Sequence, residues 1–161
     1  MQVVAYKLGP ADKLDRFRCV RDDGSHSECV MPRQGILPHD LIHYVVESRL
    51  TFDAAFLGMV ASGAELAYAM QQSHETVDPS RYAQAGQAES MVEALQTQLW
   101  EGAFDQAAFH EGLRGACDMR GVPLPDLSTL DIEHDLFRRA IELHGEWSAL
   151  PFHSSMTLRF D

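Results

Sequence analysis

Over the first thirty residues short β-prone runs are separated by polar turn signals, the pattern of strands. Residues 2–7 (Gln-Val-Val-Ala-Tyr-Lys) are rich in β-formers and stop at Gly9-Pro10-Ala11-Asp12, a turn signal that ends a first strand. Two further β-prone runs, 16–21 and 27–31, flank Asp22-Asp23-Gly24-Ser25, which reads as a hairpin with Gly24 at the positive φ of its turn. A turn centred on Asp23-Gly24-Ser25 sets 22 opposite 26 and 19 opposite 29. Pro32-Arg33-Gln34-Gly35 then closes an antiparallel meander.

Beyond Gly35 the apolar positions recur every three or four residues, the period of a helix. Pro38 suits the first turn of a helix over about 38–50, and a second is expected over about 53–71. In that second helix Gly58 and Gly63 each cost ~1 kcal/mol against Ala, so they either permit close packing or mark a break. Ser73 to Asp78 is a polar connector, and Asp78-Pro79 starts a third helix. There Ala88, Met91, Val92, Leu95 and Leu99 form one apolar stripe before Glu101-Gly102 ends it. A fourth helix over 104–119 buries Phe109, Leu113, Ala116 and Cys117, and Gly121-Val-Pro-Leu-Pro breaks it. A fifth, over 129–144, carries Ile132, Leu136, Phe137, Ala140, Ile141 and Leu143. From Trp147 a loop leads into a last strand near Met156 to Phe160, and that strand is stable only if it pairs with the meander. The pattern predicts an α+β fold: a small antiparallel sheet, built from the N-terminal meander plus the C-terminal strand, covered by about five helices in a single domain over 1–161.

Composition agrees with one folded domain, since 161 residues with 45% hydrophobic and 23% charged positions can bury a substantial core. Thirteen Lys plus Arg against twenty-four Asp plus Glu give a net charge of -11, which repels phosphate backbones and anionic membrane surfaces. Nucleic acid and membranes are therefore not expected partners; an unidentified protein or small molecule is. The acidity belongs to the helical layer, because residues up to 36 carry six Lys plus Arg against five Asp plus Glu. No export signal and no apolar run of roughly 20 residues are present, so a cytoplasmic location is expected. Three cysteines there do not form a disulfide framework.

Chemistry concentrates in Leu37-Pro38-His39-Asp40-Leu41-Ile42-His43-Tyr44-Val45-Val46-Glu47. At about 100° per residue, His39, His43 and Glu47 fall within an arc of about 80° on one helix face. Two histidines at i and i+4 can offer ring nitrogens to one divalent metal such as zinc, the basis of the His-Glu-x-x-His helix. Here Asp40 stands in the second place, and its shorter carboxylate reaches about one methylene less far, so it is a weak candidate for a catalytic base. Glu47 cannot be the third ligand, since i, i+4 and i+8 on one straight helix span about 12 Å; it can orient His43 instead. Another segment must contribute, and His74, Glu75, His110, Glu111, His134 and His144 are available, none singled out by spacing. The alternative is structural: Asp40 faces the positive end of the helix dipole, His39 is solvated, and His43 and Glu47 form an i,i+4 pair.

The Asp22-Asp23-Gly24-Ser25 turn, the 37–47 segment and Phe56-Leu57-Gly58-Met59-Val60-Ala61-Ser62-Gly63 together resemble a group of small bacterial proteins. These share an Asp-Gly-Ser hairpin, a His-Asp-Leu-x-His-Tyr-x-Val-Glu helix and a Gly-containing segment. The likeness spans roughly residues 16–65, with a looser echo in Trp147, Leu150-Pro151 and the last strand. It implies importance for His39, Asp40, His43 and Glu47 and names no reaction.

With 19 opposite 29, Cys19 and Cys29 are expected as cross-strand neighbours: a redox-labile pair, a thiolate metal site with His26, or two reduced thiols on one sheet face. A second His-Asp-Leu at 134–136 lacks the second histidine, because Arg138 occupies that place. No Gly-rich phosphate loop, Gly-x-Ser-x-Gly elbow or Cys-x-x-Cys is present. Two functional expectations follow: a polar pocket on the His-Asp-x-x-His helix that holds a divalent metal, or a non-enzymatic protein-interaction module in which that helix is an internal brace.

Overall fold

The computed structural model describes residues 1–72 and 79–161. Strands β1 (Gln2–Lys7), β2 (Leu14–Val20), β3 (His26–Pro32) and β4 (Ser154–Arg159) form one antiparallel sheet in the order β3-β2-β1-β4. The C-terminal strand does return to the meander: β4 pairs with β1 from Gln2↔Arg159 to Lys7↔Ser154. Strict alternation puts Asp15, Phe17, Cys19, Ser27 and Met31 inward and Leu14, Arg16, Glu28 and Val30 outward. Among the described residues, α1 and α3 pack against β3.

The β2–β3 register departs from the expected one by a full pair. Cys19 faces Ser27 and Phe17 faces Cys29, so the two cysteines are not opposed. The turn is the reason. Asp22 and Asp23 are its central residues, with Gly24 N donating to Arg21 O at 3.0 Å and Arg21 N to Ser25 O at 2.8 Å. Gly24 follows them at φ 84, the positive-φ position of a type I turn with a bulge, which moves the pairing two residues toward the N-terminus relative to a turn centred on Gly24. All three cysteines are free, and His26 projects from the opposite, exposed face of β3, so it cannot join the thiols at a metal.

In keeping with the expected helical layer, the described residues form six α-helices: α1 (His39–Leu50), α2 (Phe56–Ala61), α3 (Leu66–Gln72), α4 (Pro79–Glu101), α5 (Gln106–Arg120) and α6 (Arg139–Ala149). A π-helical segment, Glu133–Arg138, runs directly into α6. The extra helix arises because the expected 53–71 helix divides at Gly63. At φ 112, Gly63 donates to Val60 O at 3.1 Å and Ala64 donates to Met59 O at 3.0 Å, the paired bonds of a Schellman cap. Gly58 serves the other purpose. A Cβ there would lie 2.4 Å from Phe52 O, so only glycine lets α2 pack onto the connection from α1. Pro38 sits just before the first helical residue, at φ −51 and ψ 143, and not inside the first turn. The connector from Ser73 to Asp78 lies outside the described residues.

The last helix runs on to Ala149 because its C-terminus is capped from the sheet. Lys7 Nζ donates to the carbonyls of Trp147 (2.9 Å), Ser148 (3.0 Å) and Leu150 (2.9 Å), meeting the negative end of the helix with a cation. The core lies between the sheet and α1, α4 and α5, with Phe17, Met31, Leu41, Ile42, Met91, Leu95, Phe109 and Leu113 fully buried. Each contributes roughly 1.5–3 kcal/mol by leaving water. Helix α1 is thus enclosed by β3, α2, α4 and α6, which carries its polar face into the interior. Among the described residues no helix is long and apolar enough to cross a membrane.

Candidate metal centre

Leu41, Ile42, Val45 and Val46 hold one side of α1 against the core, and α2 and α4 cover the other side, which buries His43 and Glu47. His43 is 3% exposed and Glu47 is fully buried. A buried carboxylate must be hydrogen-bonded, and Glu47 has three donors. Its Oε1 accepts from His43 Nδ1 at 2.9 Å, while Oε2 accepts from the backbone amides of Leu57 (2.8 Å) and Gly58 (3.3 Å). Those amides belong to the first turn of α2, whose N-terminus has no side-chain cap of its own. Glu47 therefore caps α2 and orients His43 with the same carboxylate. The close approach at Gly58 makes this possible.

The other ring nitrogen of His43 points to α4. Nε2 lies 3.3 Å from Glu89 Oε1, so the imidazole bridges two carboxylates. Burial alone would lower its pKa, but the hydrogen bonds and negative charges of Glu47 and Glu89 outweigh it and raise His43 to about 10. Glu89 shows the reciprocal effect. Burial would raise its pKa, and the bond to His43 with the charges of His43, His39 and Arg120 brings it down to about 2.

His39, one turn before His43, is exposed, with ring centroids 4.9 Å apart at an edge-to-face angle of 73°. Its Nδ1 is 3.1 Å from Gln96 Oε1 on α4. His39, His43 and Glu89 each bring one ligand-type atom to within 4.8 Å of the other two, and the group could hold a metal ion. His39 and Glu89 also open onto a groove of about 290 Å³, lined further by Glu93, Gln96, Trp100 and Arg120.

The remaining expected residues lie elsewhere. Asp40 is buried in the first turn of α1, and desolvation raises its pKa; it is not one of the three clustered groups. Its negative charge acts on the sheet thiols: burial first, then Asp40, lifts Cys29 to about 12, and burial with Cys29 lifts Cys19 to about 12. His110 lines a separate cavity with Asp131 and Glu133, and His134 pairs with Asp135 at 3.5 Å. His144 Nδ1 is buried without a hydrogen-bond partner, and neither it nor Glu111 joins the group. His74 and Glu75 lie outside the described residues.

Glu89 is the residue that spacing along α1 cannot reveal, because it comes from another helix. One signal did mark it. Glu89 stands four residues after Ala85 and three before Val92, on the edge of the α4 stripe that packs against α1. Comparison with known proteins adds no further residue: no family model, curated protein or solved structure matches the chain.

Proposed function

We propose that the protein binds a divalent cation, zinc being the best fit, through His39 Nε2, His43 Nε2 and Glu89. The observation that carries this reading is the disposition of the two Nδ1 atoms. Each histidine presents Nδ1 to an oxygen acceptor, Gln96 for His39 and Glu47 for His43, so each Nε2 is the ring atom left for a metal, which at His43 would take the place of the proton directed at Glu89. The 3.3 Å between His43 Nε2 and Glu89 Oε1 is also the edge of a zinc tetrahedron, ~3.3 Å for bonds of about 2.0–2.1 Å. His39, the exposed member, closes the triangle by a side-chain rotation. Two histidines and one glutamate would leave a coordination position open, as in catalytic zinc sites, and His39 and Glu89 both line the groove beside Trp100.

One observation supports a second reading. His43 is buried between two carboxylates, and as a protonated imidazole it would be a structural brace between α1 and α4. Metal analysis separates the two. Protein purified without a His tag, stripped with chelator and titrated with zinc, is expected to bind one equivalent by calorimetry and elemental analysis. His39→Ala and Glu89→Gln should each weaken binding strongly. Absence of stoichiometric zinc, or unchanged affinity in both variants, leaves the brace as the function of His43.

A further inference from the structure

We propose that Glu93 is a general base at this centre and that the groove is a hydrolytic site for acyl substrates, carboxylic esters or amides. The inference rests on the metal reading above and extends it to a reaction. Glu89, Glu93 and Gln96 stand at i, i+4 and i+7 on α4 and share one face. The two outer members hold the histidines: Glu89 lies 3.3 Å from His43 Nε2, and Gln96 lies 3.1 Å from His39 Nδ1. Glu93, between them, therefore faces the same centre from about one helical turn away, ~6 Å along the axis. Glu93 is not one of the three clustered groups and lines the groove beside them, the place of a carboxylate that acts on a water next to the ion.

Two further features fit a base. The Glu93 side chain is 56% exposed and lines the groove, so it reaches solvent and substrate. Its Oε2 is held by Arg120 Nη2 at 2.9 Å, and Oε1 is the oxygen that takes the proton. The groove's charges select the substrate class. Glu93 would lie beside the attacked group, so a phosphate dianion brings its charge against that carboxylate. A neutral acyl group meets no such repulsion, and Trp100, 56% exposed, offers an apolar wall for its side chain.

In the reaction, Glu93 takes one proton from a water at the open coordination position as that water's oxygen bonds to the acyl carbon. When the carbon's bond to the leaving oxygen or nitrogen breaks, Glu93 returns the proton to the leaving group. Ester and water become acid and alcohol, and the site ends as it began.

The test uses the full chain loaded with zinc and 4-nitrophenyl acetate as probe. Zinc-loaded protein should release 4-nitrophenolate faster than the chelator-stripped form. Glu93→Gln should bind zinc with unchanged stoichiometry and turn over about 100-fold more slowly. Glu93→Ala should regain turnover when formate is added, a response that a merely structural carboxylate does not produce. If both proteins hold zinc and Glu93→Gln is as fast as the parent, or zinc brings no turnover, the base is refuted while the metal site stands. If neither holds zinc, both readings fall, and the calorimetric titration shows that independently of any substrate.

Discussion

Glu47→Gln changes one atom type and tests whether a single buried carboxylate serves both the fold and the metal centre. In the parent, Glu47 accepts from His43 Nδ1 at 2.9 Å and Leu57 N at 2.8 Å, with a longer contact from Gly58 N at 3.3 Å. Bonds to a charged acceptor contribute about 1.5–3 kcal/mol and neutral ones about 0.5–1.5. Exchanging two good charge-assisted bonds for neutral ones therefore costs roughly 2–3 kcal/mol. For a chain of this size that is roughly 5–10 °C in Tm. The glutamine must also put its NH₂ group toward either His43 or the α2 amides. Its carbonyl is needed by Leu57 N, so the NH₂ meets His43 Nδ1 and forces that nitrogen to accept. The imidazole then carries its proton on Nε2, the atom assigned to the metal. Zinc affinity should fall 10- to 100-fold, about 1.4–2.7 kcal/mol, as when the partner of a metal-bound histidine is removed. Chemical denaturation without metal measures the first effect, and zinc titration of the folded variant measures the second. A variant within about 0.5 kcal/mol of the parent that binds zinc equally well would refute the shared role.

Gly58→Ala should cost about 1–3 kcal/mol or more, read by thermal melting, because its Cβ meets the Phe52 carbonyl at 2.4 Å and displaces α2 from Glu47; an unchanged Tm contradicts the close packing. Cys19 and Cys29, with thiol pKa values lifted to about 12, should resist iodoacetamide at pH 8 in the native protein and react readily once unfolded, as counted by mass spectrometry. The sign for stability follows from the same shifts: above about pH 9 the unfolded thiols ionise while the folded ones stay protonated, so these two residues lower stability as pH rises from about 9 toward 12. Rapid native labelling would contradict both statements.

Much of this architecture is local and therefore legible in the residue pattern. Arg16-Phe17-Arg18-Cys19 alternates by itself, with Phe17 and Cys19 inward, whereas Cys29-Val30-Met31 is a contiguous apolar run whose buried member only packing selects. Register is not local in the same way. It depends on which pair of residues centres the turn, and the run Asp22-Asp23-Gly24-Ser25 admits two centrings that differ by one pair. Gly63 and Gly58 look alike in sequence, yet one takes φ 112 to end α2 and the other yields space to Phe52, a distinction that only packing makes. The site divides along the same line. His39, His43 and Glu47 share a face of α1 by helical spacing alone, whereas Glu89 and Gln96 join them because α4 packs across that face.

That packing has an electrostatic consequence that favours an ion over a proton. Glu47 and Glu89 flank one imidazole, and a protonated His43 supplies one positive charge against their two negative ones. Asp40, 6% exposed on the same helix, adds a further buried carboxylate whose charged form burial disfavours. Desolvating ionised groups costs several kcal/mol each, and a core selected for stability alone would hold apolar side chains at these positions. A divalent cation at Nε2 replaces the single proton with two charges and balances Glu47 and Glu89 together. With that proton replaced, the cation would offset Glu47 and Glu89, while Arg120 and His39 already act on Glu89 and lower its pKa. The charges around His43 thus accord with the proposed cation, and the zinc titration tests that reading against the protonated brace.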